Sequence, residues 1–65
     1  MTTYTVIDAQ SGYSEPLYAE TGAEALANAR AWLRGGDYPD RRGTVRAGVL
    51  DEDGETVGTV AVELG

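Results

Sequence analysis

The chain predicts an α+β domain of ββαββ order: an antiparallel sheet of about four strands with one helix packed on one face. Three observations carry this expectation. Residues 21–35, TGAEALANARAWLRG, hold a start signal, a stop signal and an apolar period of 3.6. Stretches rich in β-branched and aromatic residues flank that segment on both sides. Within each flank, a glycine-containing turn separates two such stretches, as in antiparallel hairpins. A length of 65 residues bounds the chain to a single small domain over residues 1–65.

Residues 3–9, TYTVIDA, read as the first strand. Tyr4, Val6 and Asp8 share one face; Thr5, Ile7 and Ala9 share the other. Apolar residues on both faces either place the strand centrally in the sheet or leave one face for a partner. Residues 10–14, QSGYS, form a turn centred on Gly12. Pro16 confines its own segment to an edge strand or to a strand's first residue. Residues 17–20 therefore read as a second strand, hairpinned to the first.

Thr21 and Glu24 match a capping box, with the Thr hydroxyl accepting from the amide three residues on. Gly22, Ala25, Leu26, Ala29, Trp32 and Leu33 fall on one helical face. Five alanines raise helix propensity and permit close packing. Arg30 and Arg34 suit the negative end of the helix dipole, and Gly35-Gly36 supplies a left-handed stop. The helix is expected over residues 22–34. Trp32 reads as a core residue whose indole N–H needs a partner.

Residues 36–43, GDYPDRRG, form a polar loop. It reads as a solvated connection, or as a contact loop anchored by Tyr38 with Arg41 or Arg42, residue types enriched at interfaces. Residues 44–50 are the third strand, with Val45, Ala47 and Val49 on one face. The Asp-Gly pair within residues 51–55, DEDGE, marks a hairpin. Residues 57–64 are the last strand. Val60, Val62 and Leu64 lie on one face; Val57, Thr59, Ala61 and Glu63 lie on the other.

The residue types exclude most chemistry. The chain has no His, Cys or Lys, which removes Ser–His, Cys–His and Schiff-base schemes. An enzyme is therefore not expected, and no cofactor is implied. Without cysteine there is no disulfide and no thiolate metal site. Asp51, Asp53 and Glu55 invite a calcium reading, but an EF-hand loop counted from Asp51 finds glycine at the wrong position and Val62 where the bidentate Glu belongs. No metal site is expected. No apolar run approaches the ~18 residues of a membrane span, and no signal peptide is evident. A cytoplasmic protein without membrane contact is the expectation.

Eleven carboxylates against five arginines give a net charge of −6. That argues against direct nucleic-acid binding, which draws its affinity from cations on phosphates. It suits a basic protein surface, or serves solubility alone. Residues 1–29 carry −4, residues 30–46 carry +3 and residues 47–65 carry −5. The candidate partner-binding residues are Asp51, Glu52, Asp53 and Glu55 at the second hairpin, Glu15 and Glu20 on the first, and Tyr38 and Arg41 in the loop.

This profile, short, acidic, cysteine-free and without catalytic residues, resembles that of the small acidic proteins phages use against host defence, among them anti-CRISPR proteins and other DNA mimics. The resemblance covers the whole chain and rests on no motif. It implies an acidic inhibitor, in the host cytoplasm if phage-encoded. Its partner would be a basic nucleic-acid-binding protein or a CRISPR effector subunit, blocked at its DNA- or PAM-recognition face. A second resemblance covers residues 3–34. A strand, a glycine turn, a short strand and the T-x-x-E-A-L-x-x-A run of Thr21, Glu24, Ala25, Leu26 and Ala29 are similar to the N-terminal half of HicB-type antitoxins. Glu15-Pro16-Leu17 stands near the place where that family carries Pro-Gly-Cys. It implies, as the alternative, an antitoxin-like or regulatory module that dimerises through its sheet. The oligomeric expectation is a monomer or weak homodimer.

Overall fold

The computed structural model describes residues 1–35 and 42–64. The elements in chain order are β1 (Thr2–Asp8), β2 (Ser14–Ala19), α1 (Gly22–Arg34), β3 (Gly43–Leu50) and β4 (Thr56–Leu64). The four strands form one sheet in the order β2-β1-β3-β4, with every neighbouring pair antiparallel. The ββαββ expectation is met, and α1 has the bounds its capping and periodicity predict.

β1 is a central strand, which accounts for its two apolar faces. Tyr4, Val6 and Asp8 are buried, while Thr5 and Ile7 are half-buried on the open side. β2 and β3 both run antiparallel to β1, hence parallel to each other. Parallel strands need a long crossover, and α1 supplies it. The helix lays Ala25, Ala29 and Leu33 on the sheet, against a core that includes Val6, Val45, Val49, Val60 and Val62. Ala25 and Ala29 are fully buried, so their small side chains set a close helix–sheet distance. A Cβ at Gly58 would lie 3.2 Å from Leu26 Cδ2, so glycine in β4 serves the same close approach.

Thr21 caps α1 by accepting from the Glu24 amide at 3.1 Å. The C-terminal end departs from expectation. Gly35 sits at φ −92°, ψ 4°, not in the left-handed region, and its amide donates to Ala31 O at 2.9 Å. The last turn continues through Gly35, so no left-handed stop is made there. Gly36, the other half of the predicted stop, lies outside the described residues.

Two strand assignments also change. β2 starts at Ser14 rather than at residue 17, and Pro16 pairs with Thr5 inside it. Proline is tolerated because β2 is an edge strand and needs bonds on one side only. In β4, Val57 does not share the outward face of Thr59, Ala61 and Glu63. The ladder pairs Val49 with Gly58 and Leu50 with Thr56, leaving Val57 as a bulge residue. The bulge turns Val57 toward α1, where its Cγ1 lies 3.1 Å from the Cβ position of Gly22. Among the described residues, no helix is long and apolar enough to cross a membrane.

Candidate partner surface

Strand direction decides which carboxylates meet. β2 ends, α1 begins, and the β3–β4 hairpin turns at the same end of the sheet. Glu20, Glu24, Asp51, Glu52, Asp53 and Glu55 therefore gather there. All are exposed except the half-buried Asp51. None of the four described arginines joins them. Arg34 and Arg42 lie at the other end, Arg30 is in the second half of α1, and Arg46 pairs with Ala61 of β4. Among the described residues, Arg34 and Arg42 thus lie away from the acidic cluster, at an end that also carries Glu15 and Glu63.

The hairpin is rigid for a local reason. Asp51 Oδ1 accepts from the Asp53 and Glu55 amides, both at 2.9 Å. The Asp51 amide donates to Glu55 O at 2.9 Å, and the Gly54 amide to Asp51 O at 3.1 Å. Gly54 takes φ +81°, which a side chain would strain. Asp51 is thus the organiser of the turn, and Glu52, Asp53 and Glu55 are the groups it presents. Among the described residues, no three Asp or Glu side chains converge in a way that could hold a metal ion.

Glu15 has a different setting from Glu20. They stand at opposite ends of the β2 region, about 17 Å apart along a strand. The Tyr13 hydroxyl donates to Glu15 Oε1 at 2.7 Å, and the Trp32 indole N–H donates to Oε2 at 2.9 Å. The two rings stack, with centroids 6.4 Å apart and planes 7° from parallel. Glu15 therefore clamps the C-terminal half of α1 to the first hairpin, and supplies the partner that the Trp32 N–H requires. The Tyr13 hydrogen bond, and after it the Trp32 bond, holds the Glu15 carboxyl below its ordinary 4.5.

This clamp makes a pH prediction. A carboxyl whose folded pKa lies below its unfolded value stabilises fully above the unfolded value, and loses that stabilisation as pH falls through the folded one. Thermal midpoints of the native chain and Glu15→Gln should differ at neutral pH and converge below the ordinary carboxylate range. A difference that persists unchanged into acid would mean the carboxylate charge plays no part in the clamp.

Tyr38 and Arg41 fall outside the described residues. The structure adds two residues that sequence reasoning passed over as functional or organising. Glu24, read only as a cap, joins the acidic end. Asp8, read only as a face residue, is fully buried at the first hairpin. Its Oδ1 accepts from the Gln10 and Ser11 amides at 2.8 and 3.1 Å, which closes the turn. An Asp shortly before a Ser-Gly turn was the available signal for that role. Comparison with protein-family models, curated proteins and solved structures finds no match to this chain.

Proposed function

We propose that this protein is a non-enzymatic acidic binding module that docks its carboxylate-rich end on a basic surface of a nucleic-acid-binding protein. The supporting observation is the gathering of Glu20, Glu24, Asp51, Glu52, Asp53 and Glu55 at one end of the sheet, away from the described arginines. Duplex DNA presents about one negative charge per 1.7 Å of axis, so a surface built for it is a dense array of cations. Carboxylates held on a rigid hairpin and a helix start can occupy such a surface without the ordering cost of a flexible acidic tail. The fuller form of the proposal takes the partner to be a CRISPR effector complex and the occupied surface its DNA- or PAM-recognition face. Size, acidity and the lack of catalytic residue types support that form.

The test is capture on the immobilised protein from nuclease-treated lysate of bacteria that carry a CRISPR system, with binding to the purified effector measured next. Retention of a basic nucleic-acid-binding protein, lost at high salt and displaced by duplex DNA, supports the proposal. Retention that resists high salt favours the second reading, an antitoxin-like module working through its sheet. That reading draws on the uncovered face, where the uncharged Thr5, Ile7, Pro16, Leu50, Thr59 and Ala61 lie beside Arg46 and Glu63. If nothing specific is retained, the acidity serves solubility and both readings fall.

A further inference from the structure

The carboxylate of Glu15 is held by two neutral donors. The Tyr13 hydroxyl bonds to Oε1 and the Trp32 indole N–H to Oε2. Among the described residues no arginine forms an ion pair with it. A carboxylate has about four acceptor positions, and these bonds take one on each oxygen. The same two donors favour the ionised form. Glu15 therefore carries its charge at neutral pH and retains acceptor capacity for a further donor.

The groups around that charge are of one kind. The rings of Tyr13 and Trp32 lie 7° from parallel with centroids 6.4 Å apart, and both direct their polar edge at the carboxylate. Trp32 is half-buried, while Tyr13 is 49% exposed. The face of an aromatic ring carries negative potential. An ionised carboxylate between two such rings repels an anion, and a cation gains from all three groups.

We propose that Tyr13, Glu15 and Trp32 form a receptor for an arginine side chain of a partner protein. The guanidinium fits in shape as well as in charge. It is planar and weakly hydrated, so it can lie against the Tyr13 ring while its forked N–H groups reach the carboxylate at the ring's edge. A lysine ammonium is a compact, strongly hydrated point charge that lacks this flat face. The clamp already fixes the three side chains, so little of the binding energy is lost in ordering them. Glu15 stands at the opposite end of β2 from Glu20 and the acidic cluster, so this contact does not rest on the acidic-end proposal. A lone arginine is a small ligand, and dissociation on the order of 1 mM is expected.

The test is an NMR titration of the native chain with the end-blocked peptide Gly-Arg-Gly, beside Gly-Lys-Gly. The chain has one tryptophan, so a single indole N–H resonance reports the site. That resonance should shift saturably with the arginine peptide, and the lysine peptide should bind at least about fivefold more weakly. Tyr13→Ala and Glu15→Gln should each abolish the saturable shift. Tyr13 is exposed, and Glu15→Gln keeps an acceptor for the indole, so both variants should keep the native circular-dichroism spectrum. An indole resonance that does not move, or that responds equally to lysine, overturns the proposal. So does a saturable shift that survives Tyr13→Ala. Shifts confined to residues 51–55 place the cation at the acidic end, which overturns the Glu15 receptor and leaves the acidic-end proposal standing. The converse result, an indole shift in a chain that captures no basic nucleic-acid-binding protein, supports the receptor while the acidic-end proposal falls.

Discussion

Replacing Glu52, Asp53 and Glu55 together by lysine is expected to abolish binding to the basic partner while the domain stays folded. The three side chains are exposed on a turn whose hydrogen bonds come from backbone amides and from Asp51. Their carboxylates are free to meet a partner, and their loss leaves the turn intact. Each reversal replaces an attraction with a repulsion against the same cation. Juxtaposed like charges at an interface cost several kcal/mol, so a loss of at least about 100-fold in affinity is expected. Asp51 is deliberately spared. Asp51→Lys would remove the acceptor for two amides and confound a binding loss with an unravelled hairpin. Titration calorimetry at two ionic strengths, with circular dichroism as the folding control, checks the prediction. Unchanged affinity in the triple variant would take the acidic end out of the interface and end the proposal built on it.

Leu33→Ala is expected to produce a large loss of stability. Leu33 is 2% exposed in the last turn of α1 and is its only large aliphatic residue buried to that degree. The other two buried helix positions, Ala25 and Ala29, have no side chain to truncate. Truncating a buried leucine costs roughly 2–5 kcal/mol, the transfer loss plus the cavity left behind. A domain this small has only about 3–10 kcal/mol in total on a per-residue basis. For its length, a loss near 3 kcal/mol lowers the midpoint by roughly 20 °C. Urea unfolding of the variant beside Leu26→Ala, a half-buried comparison, measures the effect. A midpoint for Leu33→Ala no lower than that of Leu26→Ala would show that the helix is not anchored through its C-terminal half.

How far the chain could be read depends on the range of each interaction. The Thr21 cap, the apolar face of residues 22–34 and the Asp-Gly turn depend on neighbours within about four residues, and all three appear where expected. Trp32 was legible in part. An indole N–H at the edge of an apolar face demands an acceptor, but that the acceptor is Glu15 depends on how α1 crosses the sheet. Gly35 misled because a glycine permits a left-handed stop without requiring one. Val57 misled because strict alternation fails at a bulge, and the extra residue is created by pairing with β3.

Fold class and element order were thus written in local chemistry: periodicity, caps, turn residues and the absence of reactive side chains. The grouping of charge was not. Glu15 and Glu20 look like one patch along the chain and stand at opposite ends of β2, because an extended strand separates what sequence keeps close. Glu20 and Glu24 look remote from residues 51–55 and share an end with them, because β1 pairs with β2 and β3 and brings both chain reversals to one side. Antiparallel register, set by long-range backbone hydrogen bonds, gathers six of the eleven carboxylates at one end of the sheet and leaves β4 as its open edge.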